Sequence, residues 1–375
     1  MKSWKKRIFG GAGCVGLAIV LTAGCGLVSD ESPDAAATST GPRPDPAVAS
    51  VPPASPSAAA TPPPSSASAS GSASSSGTPS GTGASTLVPE LQAAAERAVG
   101  QNAAASLIAL DMRNGEIVST VHRQAGMSGT VAPGSTFKIV TSALLLQRGI
   151  VTASAKVPCP KFTTVNGQSI HNVGYMEMPG ATFRDDFAHS CNTAFINLRD
   201  RIKDDELSTY ATRYFGLNSD AWKVATGQGS VDGVVPPAHN ANEKAAQMMG
   251  QGGLVMNPLT MASVVATALT GKFHQPVLER GMPVYTRSET LPPNVTKTIR
   301  EMMVACATTG SAASVFQGMP GVGAKTGTAE VGDGTNGWMV AFRGDIAVAV
   351  YVEGGDSGSG AAGPIVRDYL SAVTP

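Results

Sequence analysis

The chain has 375 residues, and its formal net charge is zero because 27 lysines and arginines balance 27 aspartates and glutamates. A net charge near zero gives no electrostatic reason to expect a nucleic-acid partner, and we expect none. The five histidines are not spaced like metal ligands, and we expect them to be structural or surface groups, with no metal site and no cofactor.

The N-terminus has the features of an exported protein. A basic start, Met1–Arg7, precedes an apolar stretch of roughly 17 residues, which is short for a membrane span and normal for a signal peptide. The stretch ends in Leu21-Thr22-Ala23-Gly24-Cys25, which resembles a bacterial lipoprotein box. We therefore expect residues 1–24 to be removed and Cys25 to carry a lipid on the outer face of the cell membrane. An uncleaved membrane anchor is the alternative.

Residues 25–86 are predicted to form a tether. From residue 29 to residue 86 the chain has no aromatic residue, leucine, isoleucine or methionine, so it cannot bury enough apolar surface to fold. Its prolines stiffen it, and we expect it to reach on the order of 50 Å. The segment is either a spacer that lifts a folded domain away from the membrane or a stalk whose length has no tuned role.

Residues 87–375 are predicted to form one domain. Asn114-Gly115 lies between two apolar runs and indicates a β-hairpin, and a helix is predicted from about Ser135 to Arg148-Gly149. The chain is then helix-rich to about residue 305. In the last part we predict three strands, Gly323–Val331, Trp338–Phe342 and Ile346–Val352. Turns are predicted at Asn336-Gly337 and Gly344-Asp345, and a closing helix at Pro364–Val373.

A first motif, Ser135-Thr136-Phe137-Lys138, provides the elements of an acyl transfer, which needs a nucleophile and a base. Residues three apart in a helix share one face, so Lys138 would lie beside the Ser135 hydroxyl. A lysine accepts a proton only when it is neutral, and burial together with a second cation lowers its pKa. Lys325 is the candidate for that second cation.

Two further motifs, Ser190-Cys191-Asn192 and Lys325-Thr326-Gly327-Thr328, each occur once. Ser190 can transfer a proton between Lys138, Ser135 and a leaving amine, and the Asn192 amide can both donate to and accept from a peptide bond. The K-T-G motif is predicted to lie on a strand, where glycine lets an extended peptide approach the edge. Each motif alone is usually a cap, a turn or a hairpin corner.

Together, in this order and context, the three motifs resemble the penicillin-binding transpeptidase family, whose fold is shared with serine β-lactamases. The resemblance covers roughly residues 87–375. It implies an α/β (α+β) fold: a five-stranded antiparallel sheet flanked by helices, with an all-helical lobe and the active site between them. It also implies that the backbone N–H groups of Ser135 and Thr328 form the oxyanion hole, and that the Thr326 and Thr328 hydroxyls face the terminal carboxylate of the substrate.

The same resemblance implies a D,D-transpeptidase that cross-links peptidoglycan stem peptides ending in D-Ala-D-Ala, is acylated by β-lactams, and could have other cell-wall synthesis proteins as partners. A D,D-carboxypeptidase differs only in using water as the acceptor. A serine β-lactamase needs a group that activates water, and the region around Thr226 has no carboxylate. A non-catalytic lipoprotein that senses β-lactams or scaffolds other proteins is the third alternative.

Three cysteines lie beyond the predicted lipidation site, in a compartment where disulfides are permitted. Three cysteines allow one pair and leave one over. We favour a Cys159–Cys191 disulfide, with Cys306 left reduced. Three separate buried thiols are the alternative.

Overall fold

The structure is a computed structural model that describes residues 83–286, 288–331 and 334–374. The predicted signal peptide, Cys25 and nearly all of the predicted tether lie outside the described residues. Thr86 is fully buried, and its hydroxyl lies 2.8 Å from the backbone oxygen of Ile117 and 3.1 Å from that of Val277. The packed part of the chain therefore includes residues just before the predicted boundary at residue 87.

Nine strands and ten α-helices lie in the described residues. The strands are β1 (Ala105–Asp111), β2 (Ile117–Val121), β3 (Phe162–Val165), β4 (Gln168–His171), β5 (Lys223–Ala225), β6 (Gln228–Gly229), β7 (Val322–Val331), β8 (Gly334–Arg343) and β9 (Ile346–Val352). The helices are α1 (Pro89–Val99), α2 (Arg123–Ser128), α3 (Lys138–Gln147), α4 (Phe183–His189), α5 (Asn192–Asn197), α6 (Glu206–Phe215), α7 (Ala241–Gln247), α8 (Pro258–Thr270), α9 (Pro293–Thr308) and α10 (Gly363–Ser371).

The central sheet has five antiparallel strands in the order β2-β1-β9-β8-β7. Helices α1 and α10 pack on one face, and α8 and α9 pack on the other. All residues of β1 are buried, as expected for a strand covered on both faces. The α/β (α+β) fold with a five-stranded antiparallel sheet is confirmed, and strand β7 lies at one edge of that sheet.

The interior follows these layers. One core cluster joins the sheet to α3, α8 and α9, and a second joins the opposite sheet face to α1, α10 and the last residues of α9. In the second cluster the fully buried Tyr369 hydroxyl lies 2.8 Å from the Ser119 hydroxyl, so this polar group is satisfied where water cannot reach it. Burial on both faces fixes the strand register, because a one-residue slip would exchange the faces of every side chain.

One predicted turn is wrong. Asn336-Gly337 lies inside β8, opposite Ala329 and Thr328 of β7, rather than between strands. The Asn336 side chain accepts a hydrogen bond from the Gly354 N–H, and a Cβ atom at residue 337 would lie 2.6 Å from the Ser357 oxygen. The dipeptide therefore serves close packing within the strand, and the Asn-Gly turn signal is overridden by tertiary structure.

The region between α3 and α8 is the predicted helical lobe, but it is not entirely helical. It contains α4 to α7 and also two short hairpins, β3–β4 and β5–β6, which the sequence analysis did not predict. These strands have only two to four residues each, so their alternation is too short to recognise from sequence. Within the described part of the chain, no helix has the length and apolar character that a membrane span requires.

Candidate active site

Ser135 lies in a tight turn that leads directly into α3. Residues Gly134–Phe137 form one 3-10 turn, and the α-helix begins at Lys138. Gly134 has a positive φ of 52°, and its N–H donates to the Gly250 oxygen at 3.0 Å. The serine is therefore at the start of a helical segment, as predicted, although that first turn is 3-10 rather than α.

Lys138 is fully buried and reaches the Ser190–Asn192 segment. Its Nζ atom donates to the Ser190 backbone oxygen at 3.0 Å, to the Cys191 backbone oxygen at 3.1 Å and to the Asn192 Oδ1 atom at 2.7 Å. Burial, and then the positive charge of Lys325, hold the pKa of the Lys138 amine well below its ordinary value. Both effects favour the neutral form that a base requires.

Lys325 is also fully buried and approaches the same segment from β7. Its Nζ atom donates to the Ser190 Oγ atom at 2.9 Å and to the Thr326 oxygen at 2.9 Å. Burial lowers the pKa of Lys325 to about 8. Ser190 thus contacts both lysines, through its backbone oxygen on one side and its hydroxyl on the other.

The backbone of the Ser190–Asn192 segment is irregular where α4 ends. A small number of contacts hold it in place. Ser190 ends α4 in the left-handed conformation, with φ 63°. The buried Asn172 side chain accepts hydrogen bonds from the Asn192 N–H at 2.8 Å and the Thr193 N–H at 3.1 Å. Cys191 is joined to Cys159 by a disulfide, the pair favoured from the sequence, and Cys306 is a free, buried thiol.

Asn172 is a residue that the sequence analysis missed. Besides the two bonds that it accepts, its Nδ2 atom lies 2.9 Å from the backbone oxygens of both Pro160 and Met176. The amide therefore ties the segment between the two cysteines to the first turn of α5. No motif in the sequence marks it, because an isolated buried asparagine has no spacing signature.

The backbone of strand β7 packs directly against the backbone of the turn that contains Ser135. A Cβ atom at Gly327 would lie 3.0 Å from the Pro133 oxygen and 3.1 Å from the Thr136 nitrogen, and one at Gly134 would lie 2.5 Å from the Thr328 oxygen. Only glycine permits this approach. Ser135 and Thr328, the predicted oxyanion-hole residues, thus belong to two segments in direct contact.

A cavity of about 480 Å³ opens over this arrangement. Its lining includes Ser135, Ser190, Asn192 and the threonines and glycine of the K-T-G motif, and the two lysines are buried beside it. The structure therefore places the predicted site residues of the folded domain at or beside one cavity. Among the described residues, however, the Lys138 amine bonds to the Ser190–Asn192 segment and not to the Ser135 hydroxyl, its predicted neighbour. Other lining residues were not predicted as site residues: Val173, Met176, His189, Met249, Gln251, Ser311, Glu330, Thr335, Asp356, Ser357, Gly358 and Ser359.

Ser311 extends the hydrogen bonding of the K-T-G motif. Its Oγ atom lies 2.6 Å from the Thr326 Oγ1 atom and 3.4 Å from the Cys306 Sγ atom. The Ser311 N–H donates to the Ala188 oxygen at 2.9 Å, which joins the end of α9 to α4. Ser311 therefore fixes the rotamer of a threonine that faces the cavity. It follows a helix end with no recognisable motif, so the sequence did not mark it.

The fold thus brings a serine, two lysines and the K-T-G motif to one cavity, and these are the kinds of group that acyl transfer through a serine requires. A family model described as the penicillin binding protein transpeptidase domain matches residues 105–371. The chain belongs to this family. The resemblance predicted from the three motifs is thereby confirmed.

Named relatives agree with this assignment. The chain is 29% identical over 319 residues to peptidoglycan D,D-transpeptidase PbpA of Mycobacterium tuberculosis, an alignment covering 76% of this chain and 60% of the relative. It is 33% identical over 281 residues to the protein of the same name from Mycolicibacterium smegmatis, covering 66% and 56%. The chain thus spans 56–60% of the length of these relatives.

The fold is also similar to a solved structure of penicillin-binding protein A from M. tuberculosis as a penicillin G acyl-enzyme complex. The TM-score is 0.68 at 25% sequence identity, and the alignment covers 77% of this chain and 79% of the other.

Proposed function

We propose that the protein is a D,D-transpeptidase that cross-links peptidoglycan stem peptides ending in D-Ala-D-Ala, through an acyl-enzyme on Ser135. The observation that carries the proposal is that Ser190 contacts two fully buried lysines beside a cavity that Ser135 lines. The names of the relatives support the same reaction. In this proposal β-lactams acylate Ser135 as substrate mimics.

Lys138 would act as the base. An ammonium group donates three hydrogen bonds, which matches its three acceptors in the structure. Loss of one proton leaves two donors and one lone pair. The amine would then turn that lone pair away from one of its three acceptors and toward Ser135, and take the hydroxyl proton as the oxygen attacks the carbonyl carbon. Ser190 would pass a proton to the leaving amine, with Lys325 stabilising the Ser190 oxygen.

The edge strand would bind the substrate peptide. An extended chain can pair along β7, and the side-chain amide of Asn192 can hold the peptide bond to be cleaved. The backbone N–H groups of Ser135 and Thr328 would stabilise the oxyanion, and the hydroxyls of Thr326 and Thr328 would face the terminal carboxylate. The positive charge of Lys325 would favour the same carboxylate.

Mass spectrometry of the purified protein after treatment with benzylpenicillin tests the proposal. We expect one stable adduct on wild-type protein and none on Ser135→Ala. Ser142→Ala is a matched control, because Ser142 is a buried serine on the same helical segment but does not line the cavity. An adduct that persists in Ser135→Ala would show that the nucleophile is another residue.

The acceptor decides between the closely related reactions. Cross-linked products from stem peptides in the presence of an acceptor amine would support transpeptidation, whereas release of D-alanine alone would indicate a D,D-carboxypeptidase. Rapid loss of the benzylpenicillin adduct would indicate a β-lactamase. The segment around Thr226, which lacks a carboxylate, does not line the cavity, but Glu330 and Asp356 do, so the lifetime of the adduct is the measurement that decides.

We further infer that Cys25 carries a lipid that holds the protein on the outer face of the membrane. Support comes from the sequence Leu21-Thr22-Ala23-Gly24-Cys25 after a short apolar stretch. Mature protein should begin at residue 25 and partition into detergent. A Cys25→Ala variant that stays membrane-bound at the wild-type level, with its N-terminus intact, would instead show an uncleaved anchor. Cell-wall synthesis proteins remain predicted partners.

A further inference from the structure

Asp186 is a buried acid that the mechanism above does not use. It lies in α4, its side chain is 0% exposed, and neither carboxylate oxygen has a hydrogen-bond partner within the described part of the chain. One of its oxygens and the sulfur atoms of Cys159 and Cys191 all lie within 4.8 Å of one another. An unpaired buried carboxyl group destabilises a fold, so its presence needs a reason.

The location of Asp186 connects it to the catalytic segment. Its backbone oxygen accepts a hydrogen bond from the Cys191 N–H at 2.8 Å and another from the Ser190 N–H. The backbone oxygens of those same two residues accept hydrogen bonds from the Lys138 amine. Asp186 thus lies directly behind the turn that holds Lys138.

The two groups also act on each other through charge. Burial, and then the negative charge of Asp185, raise the pKa of Asp186 to about 7, and the positive charge of Lys138 opposes this rise. In return, the Asp186 carboxylate opposes the lowering of the Lys138 pKa. Coupled groups of this kind titrate as a pair.

We propose that Asp186 is a positioning residue for acylation: its buried carboxyl group, behind the Ser190–Cys191 turn, sets the pH range over which the Lys138 amine can accept the Ser135 proton. The ionised carboxylate stabilises the protonated, positively charged form of Lys138. The neutral acid does not, so the Lys138 amine then loses its proton more readily. This inference rests on the proposed role of Lys138 as the base.

Few other titratable groups among the described residues act on this pair. Asp185, on the same helix, acts on Asp186, and Lys325, from β7, acts on Lys138. From α9, the Cys306 thiol acts on Lys325. The disulfide sulfur atoms beside Asp186 do not titrate. Arg184 and His189 act in turn on Asp185, so these are the neighbours to account for within the described part of the chain when Asp186 is changed.

The pH profile of benzylpenicillin acylation, followed by mass spectrometry, tests the inference. Removing a nearby negative charge makes the Lys138 amine lose its proton at lower pH. Asp186→Asn should therefore shift the acid limb of the profile down by about one pH unit. A general loss of structure would lower the rate at every pH without moving the limb.

Asp185→Asn is the matched control. Asp185 is one residue away on the same helix, but its side chain belongs to the capping box with Thr182. Losing it weakens the helix cap and removes a charge that acts on Asp186 but not directly on Lys138, so any shift of the limb should be much smaller than in Asp186→Asn. An unshifted limb in Asp186→Asn, or an equal shift in Asp185→Asn, would overturn the inference.

A second measurement separates this inference from the proposed function. In protein with ¹³C-labelled aspartate carboxyl groups, one resonance should titrate near neutral pH and be absent from Asp186→Asn. Its midpoint should rise in Lys138→Ala, because a favourable positive charge is lost. No adduct on wild-type protein would refute the proposed function alone, whereas an unmoved midpoint would refute the coupling of Asp186 to Lys138.

Discussion

Two segments of different construction face each other across the cavity. The sheet segment, Lys325–Thr328, is part of β7 and is paired with β8 residue by residue. The loop segment, Ser190–Asn192, has no strand partner. It is held by one disulfide, one buried asparagine and the hydrogen bonds of two N–H groups to the end of α4. The two sides of the cavity are therefore supported differently. Many backbone hydrogen bonds fix the position of the sheet segment, whereas few contacts fix the position of the loop segment.

This difference has a consequence for the lysines. Lys138 makes all three of its amine hydrogen bonds to the loop segment, and Lys325 makes one of its two to Ser190. A displacement of the loop segment would change the surroundings of both amines at once. A change in the loop segment should therefore mainly affect proton transfer by the two lysines. A change in the sheet segment should mainly affect the close contact between β7 and the Ser135 turn.

The largest expected effect comes from removing the disulfide. Cys159 and Cys191 are 32 residues apart, and a bridge over such a loop contributes about 3–4 kcal/mol by restricting the unfolded chain. The variant with both residues changed to serine should lose stability of this size and acylate more slowly, because the loop segment is less fixed. Denaturant unfolding and the benzylpenicillin rate measure the two effects.

Cys306→Ser is the control for that experiment, since Cys306 is buried but takes no part in the bridge. It should lose much less stability than the double variant. Peptide mapping under non-reducing conditions checks the premise. Three alkylatable thiols in folded, exported protein would show that the loop segment is held without a bridge.

In the sheet segment, a bulky side chain at Gly327 should slow acylation through a steric clash. Gly327→Val places a side chain where a Cβ atom already lies 2.9 Å from the Thr136 methyl group and 3.0 Å from the Pro133 oxygen. The strand must move away from Ser135, and a displacement of about 1 Å can cost roughly 100-fold in rate. We expect a loss of that order in benzylpenicillin acylation.

Gly180→Ala provides the comparison for Gly327→Val. A Cβ atom at Gly180 would have no heavy atom within 4 Å, and its φ is not positive. This variant should acylate like the wild type. An equally fast Gly327→Val variant would show that the contact between strand and turn can relax without disturbing the reaction.

Asn172→Ala should separate the two ways of holding the loop segment. The change leaves the N–H groups of Asn192 and Thr193 without their acceptor while the disulfide stays in place. An unsatisfied buried donor costs about 2 kcal/mol, and acylation should slow as α5 shifts. Unfolding and acylation measurements on the oxidised variant test this.

Asn172→Asp refines that test. It keeps an acceptor for the two N–H groups but turns the other side-chain atom into an oxygen facing the backbone oxygens of Pro160 and Met176. We expect it to be no better than Asn172→Ala, because the new repulsion offsets the restored bonds. Full recovery in Asn172→Asp would mean that the Nδ2 contacts contribute little.

The sequence predicted the sheet segment well because its information is local. The K-T-G motif, the alternation of the last strands and the glycines that permit close approach all lie within a short stretch. The loop segment was predicted only as a motif. Asn172, the residue that holds it, lies about 20 residues earlier in the chain and outside any motif. The burial of the Asp186 carboxyl group likewise depends on tertiary packing, which the periodicity of the sequence does not reveal. The Asn336-Gly337 error has the same origin, since tertiary contacts overrode a local signal.

The smallest expected effect concerns Lys325 and the pH dependence of stability. Burial lowers its pKa to about 8 in the folded protein, whereas the unfolded chain keeps the ordinary value of 10.5. Between these values the unfolded state binds more protons, so the contribution of Lys325 to stability increases as pH rises. Below about pH 8 both states are protonated and the full penalty of a buried charge remains.

Lys325→Met removes this titration while keeping a side chain of similar length. The free energy of unfolding of the wild type, minus that of the variant, should increase by about 1–2 kcal/mol between pH 7.5 and pH 9.5. Urea unfolding at several pH values measures this difference, and changes at other titrating groups cancel in the subtraction. A difference that stays constant with pH would mean that Lys325 keeps its ordinary pKa in the folded protein. In that case the sheet segment would contribute a permanent cation to the site, and Lys138 alone would change its charge near neutral pH.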